Sequence, residues 1–298
     1  MRYVQAGGVK LSAIGLGTWQ FGSAEWGYGR EYRQNVAAAI VHRAIELGIN
    51  LIDTAEIYGT GRSERTVGEA IRGRRDQVFI ATKLFPVGLP FVTAGRARAS
   101  AARLGVDHID LYQQHWQSPM FPARSTMRHM RRLQEAGVIR NVGVSNHSRS
   151  AWERCDEALG SPLLSNQVAF SLVEREPERE LVPWARRNDR VVIAYSPLGQ
   201  GLLSGRYQST PPANFRRWRR NFRAAGRARW QPLIAALQGI AEGRGATAAQ
   251  VALAWVISHS NVVAIPGASS VRQLEENVAA AEIELRDAEL DRLDSLSA

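Results

Sequence analysis

Short apolar runs alternate with amphipathic runs from one end of the chain to the other. The apolar runs predict strands at 13–19 ("AIGLGTW"), 50–55 ("NLIDTA"), 78–83, 109–115, 141–146, 164–170, 191–197 and 262–268. Several are nearly unbroken, the pattern of parallel strands covered on both faces. Helical spacing of apolar positions predicts helices over 35–47, 63–71, 93–103, 126–136, 149–158, 178–187, 247–258 and 270–281. Strands and helices alternating in about eight repeats point to the α/β class and a (β/α)8 TIM barrel. The alternative is a doubly wound sheet, which often carries a helix-opening glycine fingerprint after its first strand. "GLGTWQFG" does not have that pattern. "YVQAGGVKLS" predicts a small N-terminal β-hairpin turned at Gly7 and Gly8, closing the bottom of the barrel. No linker interrupts the pattern, so residues 1–298 read as a single domain.

Polar residues collect where the predicted strands end. Asp53 ends the second, Lys83 the third and His115 the fourth. Ser145 and Asn146 end the fifth, Gln167 lies in the sixth, and Tyr195 and Ser196 end the seventh. In a barrel these ends converge on one face, with loops on which active sites are built. Any one of them is also a plausible cap or buried core group; together they mark a site.

The motifs carrying these residues are "DTAEIYGTGRSERTVGEAI", "ATK", "GVDHIDLYQQHW", "EAGVIRNVGVSN", "NQVAFSL", "AYSPLGQGLLSG" and "IPGASSVRQLEEN". In this order, over nearly the whole chain, they resemble the signatures of the aldo-keto reductase superfamily. The likeness is to bacterial aldehyde/ketone reductases and to the potassium-channel β-subunit-like branch. The resemblance implies a metal-free, NAD(P)H-dependent reduction of carbonyl compounds on a (β/α)8 barrel. It implies a catalytic tetrad of Asp53, Tyr58, Lys83 and His115, with Tyr58 as general acid. A nearby ammonium at Lys83 should lower the Tyr58 pKa, Asp53 should hold Lys83, and His115 should position the substrate oxygen.

The same resemblance implies a nicotinamide pocket in which Ser145, Asn146 and Gln167 meet the carboxamide and Tyr195 stacks on the ring. Ser196, Leu198 and Gly201 would meet the pyrophosphate. At the adenine end stand Gly267, Ser269, Arg272, Gln273, Glu276 and Asn277. Ser269 takes a place where relatives often carry a cation, and Arg272 is the candidate partner for a 2′-phosphate. NADPH is favoured, with NADH possible. Trp19, Trp26, Phe85 and Trp116 form a candidate aromatic substrate wall, or else pack the barrel. A cofactor-binding sensor or regulatory subunit with slow turnover is the competing reading.

Composition changes the picture at three points. The lone cysteine, Cys155, excludes an internal disulfide. The N-terminus has no apolar signal core, and no run approaches the ~18 apolar residues of a membrane helix, so a soluble cytoplasmic protein with no membrane partner is expected. The net charge is +10, yet only Lys10 and Lys83 among the 38 basic residues are lysines. Arginine is a broad planar fork and lysine a compact point charge, so a lysine kept at position 83 suggests a site needing the second kind. The arginine-rich segment 214–230, "NFRRWRRNFRAAGRARW", allows three readings: a nucleic-acid surface, an amphipathic helix with a solvated basic face, or a flap over the cofactor phosphates. No nucleic-acid partner is expected, because that reading leaves the tetrad unexplained. The expected partner is a small carbonyl substrate, and the oligomeric state is left open.

Overall fold

Tyr3–Ala6 (β1) and Val9–Ser12 (β2) pair as an antiparallel hairpin. Among the described residues, eight further strands follow in chain order: Leu16–Gly17 (β3), Leu51–Asp53 (β4), Phe79–Leu84 (β5), Ile109–Gln114 (β6), Ile139–Ser145 (β7), Ser165–Ala169 (β8), Val191–Tyr195 (β9) and Val262–Ala264 (β10). Each is parallel to its neighbours. The sheet curls until its two edges meet, where Ile14 bridges Ala264 and Gly17 bridges Gly267. A Cβ on Gly17 would stand 2.6 Å from the Ile265 carbonyl oxygen, so glycine is required at this closure. The computed structural model describes residues 1–23, 26–29, 34–86, 90–118 and 120–297.

Strand alternation sorts the core into two layers. Leu51, Ala81, Leu111, Val191, Ile193 and Val263 cluster with Val4, Ala6 and Leu11 of the hairpin. Their neighbours Ile52, Ile80, Tyr112, Val192 and Val262 join the larger cluster shared with the helices. The first set fills the barrel interior and the second the layer between sheet and helices, as a period of two dictates. The hairpin therefore plugs the N-terminal end, as its sequence suggested. Counting on by two from the interior residues reaches Asp53, Lys83, Gln113 and Tyr195 at the other end. The period that buries the aliphatic plug also points those polar side chains into the barrel mouth.

The surrounding helices are Gln34–Glu46 (α1), Arg62–Ala70 (α2), Thr93–Leu104 (α3), Ala123–Glu135 (α4), Arg149–Leu159 (α5), Glu176–Arg179 (α6), Leu181–Arg187 (α7), Ala224–Glu242 (α8), Ala248–Val256 (α9), Val271–Ala279 (α10) and Asp287–Ser297 (α11). Most of the predicted helices are present within three residues of their expected ends. The one expected over 178–187 is two, α6 and α7, broken at Glu180. Pro183 lacks the N–H that would bond the Arg179 carbonyl, which removes the bond needed to run through. The long helix α8 was not expected, because Gly226 and Pro232 interrupt its periodicity; Trp230, Leu233, Ile234 and Leu237 bury it all the same. Among the described residues, no helix is long and apolar enough to cross a membrane.

Candidate active site

Parallel pairing sets Asp53 beside Gly17 and Ala81, and Lys83 beside Gln113, at the C-terminal ends of their strands. Lys83 crosses the mouth with its ammonium completely buried. Its Nζ donates to Asp53 Oδ1 at 2.6 Å, to the Thr54 carbonyl at 2.8 Å and, more loosely, to the Tyr58 hydroxyl at 3.4 Å. The second Asp53 oxygen accepts the Gln167 side-chain amide at 2.7 Å and that of Gln113 at 3.5 Å. Burial works against the charge on Lys83, but the Asp53 carboxylate and the Tyr58 oxygen outweigh it, and its pKa is raised. Lys83 is held as an ammonium.

Tyr58 lies in the turn between β4 and α2. A chain of hydroxyls fixes that turn: Ser63 Oγ lies 2.8 Å from Thr18 Oγ1 and 2.9 Å from Thr54 Oγ1. The expectation that Lys83 lowers the Tyr58 pKa holds for that interaction alone. Burial of the phenol is the larger effect, Asp53 adds to it, and the net pKa lies above the ordinary value. Tyr58 is thus a protonated phenol with a proton to give.

His115 follows β6, its N–H bonded to the Leu84 carbonyl at 2.9 Å. Its ring meets Tyr58 and Phe85 edge-on at 6.0 and 5.9 Å and stacks on Trp116 at 6.1 Å. Burial, then the charge on Lys83, lowers its pKa to about 3. It is neutral, and its Nδ1 is buried without a partner among the described residues. A bare nitrogen there is cheaper to bury than an orphaned N–H, so the proton belongs on Nε2. The structure therefore brings Asp53, Tyr58, Lys83 and His115 together.

The next strand ends continue the ring. Ser145 Oγ donates to the Gln167 carbonyl at 2.8 Å, and the Tyr195 hydroxyl donates to Asn146 Oδ1 at 2.9 Å. Asn146 Nδ2 donates to the His115 carbonyl at 3.2 Å, which ties this group to the tetrad. Asn146, Ser196 and Gln200 all have left-handed backbones, with φ of 59°, 50° and 58°. Such conformations cost of order 1–3 kcal/mol in non-glycine residues and gather at functional sites. Leu198 heads the turn, accepting from the Gly201 N–H at 3.0 Å. Trp19 stacks on Tyr58 at 6.3 Å and meets Trp26 edge-on at 5.2 Å. Trp19 and Trp116 are exposed, and Phe85 is partly buried, with its N–H on Glu56 Oε1 at 2.6 Å.

The sequence model of the aldo/keto reductase family matches residues 13–298. The chain belongs to the aldo/keto reductase family. NAD(P)H-dependent oxidoreductase chemistry follows from that membership. An uncharacterized oxidoreductase of Mycobacterium tuberculosis is 51% identical over 98% of this chain and 92% of its own. The methylglyoxal reductase of Escherichia coli is 37% identical over 97% and 92%. Among solved structures, an aldo-keto reductase of Klebsiella pneumoniae in complex with NADPH superposes with a TM-score of 0.81 at 32% identity, covering 100% of this chain and 96% of its own.

The turn after β10, where the sequence placed the adenine end, is braced from within. Ser269 donates through N and Oγ to Gln273 Oε1 at 2.9 and 3.1 Å. Asn277, buried, donates to the Gly267 carbonyl at 3.2 Å, and Glu276 pairs with Arg272 at 2.9 Å. The Arg272 side chain is 89% exposed. The segment 214–230 is not one amphipathic helix. Phe215–Trp218 and Arg220–Phe222 are 3-10 turns, and α8 begins only at Ala224. Arg217, Arg219, Arg220 and Arg223 are exposed, as a solvated basic face requires, whereas Arg216 is half-buried against Gln200 and Trp26.

Sequence reading passed over Gln113, Thr54, Ser63 and Glu64. Gln113 was legible in "LYQQH", since Leu111, Gln113 and His115 share a phase. Glu64 is fully buried; it accepts from Thr82 Oγ1 at 2.7 Å and Arg103 Nε at 2.6 Å, fixing the strand that carries Lys83. Nothing local distinguishes it from an ordinary acid in the first turn of a helix.

Proposed function

We propose that this protein is an NADPH-dependent reductase of aldehydes and ketones, with Tyr58 as proton donor. The carrying observation is the wholly buried Lys83 ammonium placed between Asp53 and the Tyr58 hydroxyl. The mouth also fits a nicotinamide dinucleotide. Tyr195 is a half-buried ring pinned by Asn146, and Gly201, at φ 96°, leaves the following turn without a side chain.

Ser145, Asn146 and Gln167 would hold the carboxamide, and Tyr195 the ring. Ser196, Leu198 and Gly201 would hold the pyrophosphate. Gly267, Ser269, Arg272, Gln273, Glu276 and Asn277 would hold the adenosine end. When bound, the reduced nicotinamide supplies the hydride. Tyr58 gives its phenolic proton to the substrate oxygen as negative charge develops there. Lys83 stabilises the phenolate left behind, and Asp53 keeps Lys83 charged and aimed. Neutral His115 offers its Nε2–H to the same oxygen. A positioned acid of this kind contributes roughly 10²–10⁴ in rate.

NADPH is favoured because Arg272 offers a cation at the adenine turn and because the Klebsiella relative was crystallised with NADPH. The wall of Trp19, Trp26, Phe85 and Trp116 favours carbonyls with apolar or ring substituents. The test is a panel of aliphatic and aromatic aldehydes and ketones with NADPH or NADH, followed by absorbance of the reduced cofactor. Turnover that is faster with NADPH supports the reading. No oxidation of either nucleotide with any carbonyl overturns it.

A further inference from the structure

Arg216 contacts two parts of the site, the turn at Gln200 and Gly201 and the aromatic wall at Trp26. On one side its Nη1 donates to the Gln200 carbonyl at 2.7 Å, and a Cβ on Gly201 would stand 3.2 Å from that same nitrogen. On the other side its guanidinium lies over the Trp26 ring at 5.1 Å, while Tyr207 faces it at 5.1 Å. Arg216 Nη2 also donates to the Tyr207 hydroxyl at 3.1 Å, and Nε to Asn214 Oδ1 at 2.9 Å. A planar cation lying against two rings and bonded at three nitrogens has little freedom.

From Trp26 the contacts run on to the reacting phenol. Trp26 packs edge-on against Trp19, and Trp19 stacks on Tyr58. Phe215 adds a second edge contact to Trp26 at 5.3 Å. Trp26 is held at a cost: its indole N–H is buried and has no acceptor among the described residues. Leaving a buried donor unpaired is unfavourable. Arg216, Phe215 and Trp19 all pack against the indole.

We propose that Arg216 is a positioning residue that couples occupancy of the 198–205 turn to the shape of the aromatic substrate wall over Tyr58. A ligand meeting the turn displaces or fixes the Gln200 carbonyl, Arg216 moves with it, and Trp26 and Trp19 follow. The consequence is mutual: cofactor improves the binding of an aromatic substrate, and the substrate improves the binding of cofactor by the same factor. This inference rests on the reading of the mouth as a nicotinamide site, given above.

The test measures binding, without turnover. NADPH with 4-nitrobenzyl alcohol forms a dead-end pair, since both are already reduced. The affinity of the alcohol is measured calorimetrically with and without saturating NADPH. In the unaltered protein NADPH should improve it tenfold or more. In Arg216→Ala that gain should fall below threefold, although each ligand still binds. Trp26→Ala should lose the gain equally, and the double variant should lose no more than either single one. Arg217→Ala is the control, because Arg217 lies in the same segment but stacks on Trp218, away from this path. If Arg216→Ala unfolds, Tyr207→Phe takes its place; it removes one bond to the guanidinium, and a fall of the gain by at least half is expected.

A full tenfold gain in Arg216→Ala, or an equal loss in Arg217→Ala, overturns the proposal. So does the absence of any gain in the unaltered protein. Failure of the unaltered protein to bind NADPH at all would instead sink the nicotinamide reading itself.

Discussion

Lys83 is an ammonium with no exposure to water, and such a charge persists only if its neighbours replace the hydration it has lost. Asp53 supplies the countercharge; the Thr54 carbonyl and the Tyr58 oxygen supply two further acceptors. A single small donor head reaches all three. A guanidinium is wider and planar, and cannot meet acceptors at 2.6 and 2.8 Å around one point without pushing the Tyr58 turn outward. Lys83→Arg should therefore lose activity about as badly as Lys83→Met, roughly a hundredfold or more. The folded structure should survive, read by near-UV circular dichroism alongside steady-state rates. Near-normal rates in the arginine variant would reduce Lys83 to a generic cation.

The elements carrying the site were largely legible because a barrel repeats one rule. Strand alternation put Asp53 and Lys83 in phase with the aliphatic plug, and each strand end was visible as a polar residue after an apolar run. What escaped depends on partners far away in sequence. Glu64 looks like a helix-start acid until Arg103 and Thr82 are seen beside it. The 3-10 turns of 215–222 have no periodicity to read, and Arg216 owes its place to Trp26 and Tyr207. The helix α10 carries a further prediction. Ser270 caps it by accepting from the Gln273 N–H, so its N-terminal turn is well defined, and Arg272 projects from that turn into solvent. Its exposed pair with Glu276 adds little stability, about 0.3–0.5 kcal/mol for such an i,i+4 contact. Arg272→Ala should leave the melting temperature almost unchanged and weaken NADPH about tenfold, while NADH binding, measured by the same fluorescence titration, hardly moves. Equal losses for both nucleotides would remove Arg272 from the choice between them.

Taken whole, the molecule carries a pH dependence set by its buried histidines. Burial lowers His115 to about 3 and His147 to about 4. Both groups bind a proton near pH 6.5 when the chain unfolds but resist it when folded. The unfolded state therefore holds more protons, and stability rises with pH across this window. It is fully present above about 6.5 and is lost as pH falls towards the folded values. Between pH 6.5 and 4.5 each histidine should cost on the order of 2 kcal/mol. Urea unfolding at the two pH values should show a smaller drop for the variant carrying His115→Gln and His147→Gln. An equal drop would mean that carboxylates elsewhere set the acid limit. The most direct test of the whole account is the single-turnover rate of NADPH oxidation by an aromatic aldehyde, in the unaltered protein and in Tyr58→Phe. The substitution removes one proton donor and leaves the cofactor contacts in place, so NADPH affinity should stay within about twofold while the rate falls a hundredfold or more. A variant that kept more than about a tenth of the rate would contradict Tyr58 as the acid, and with it the role assigned here to Lys83 and Asp53.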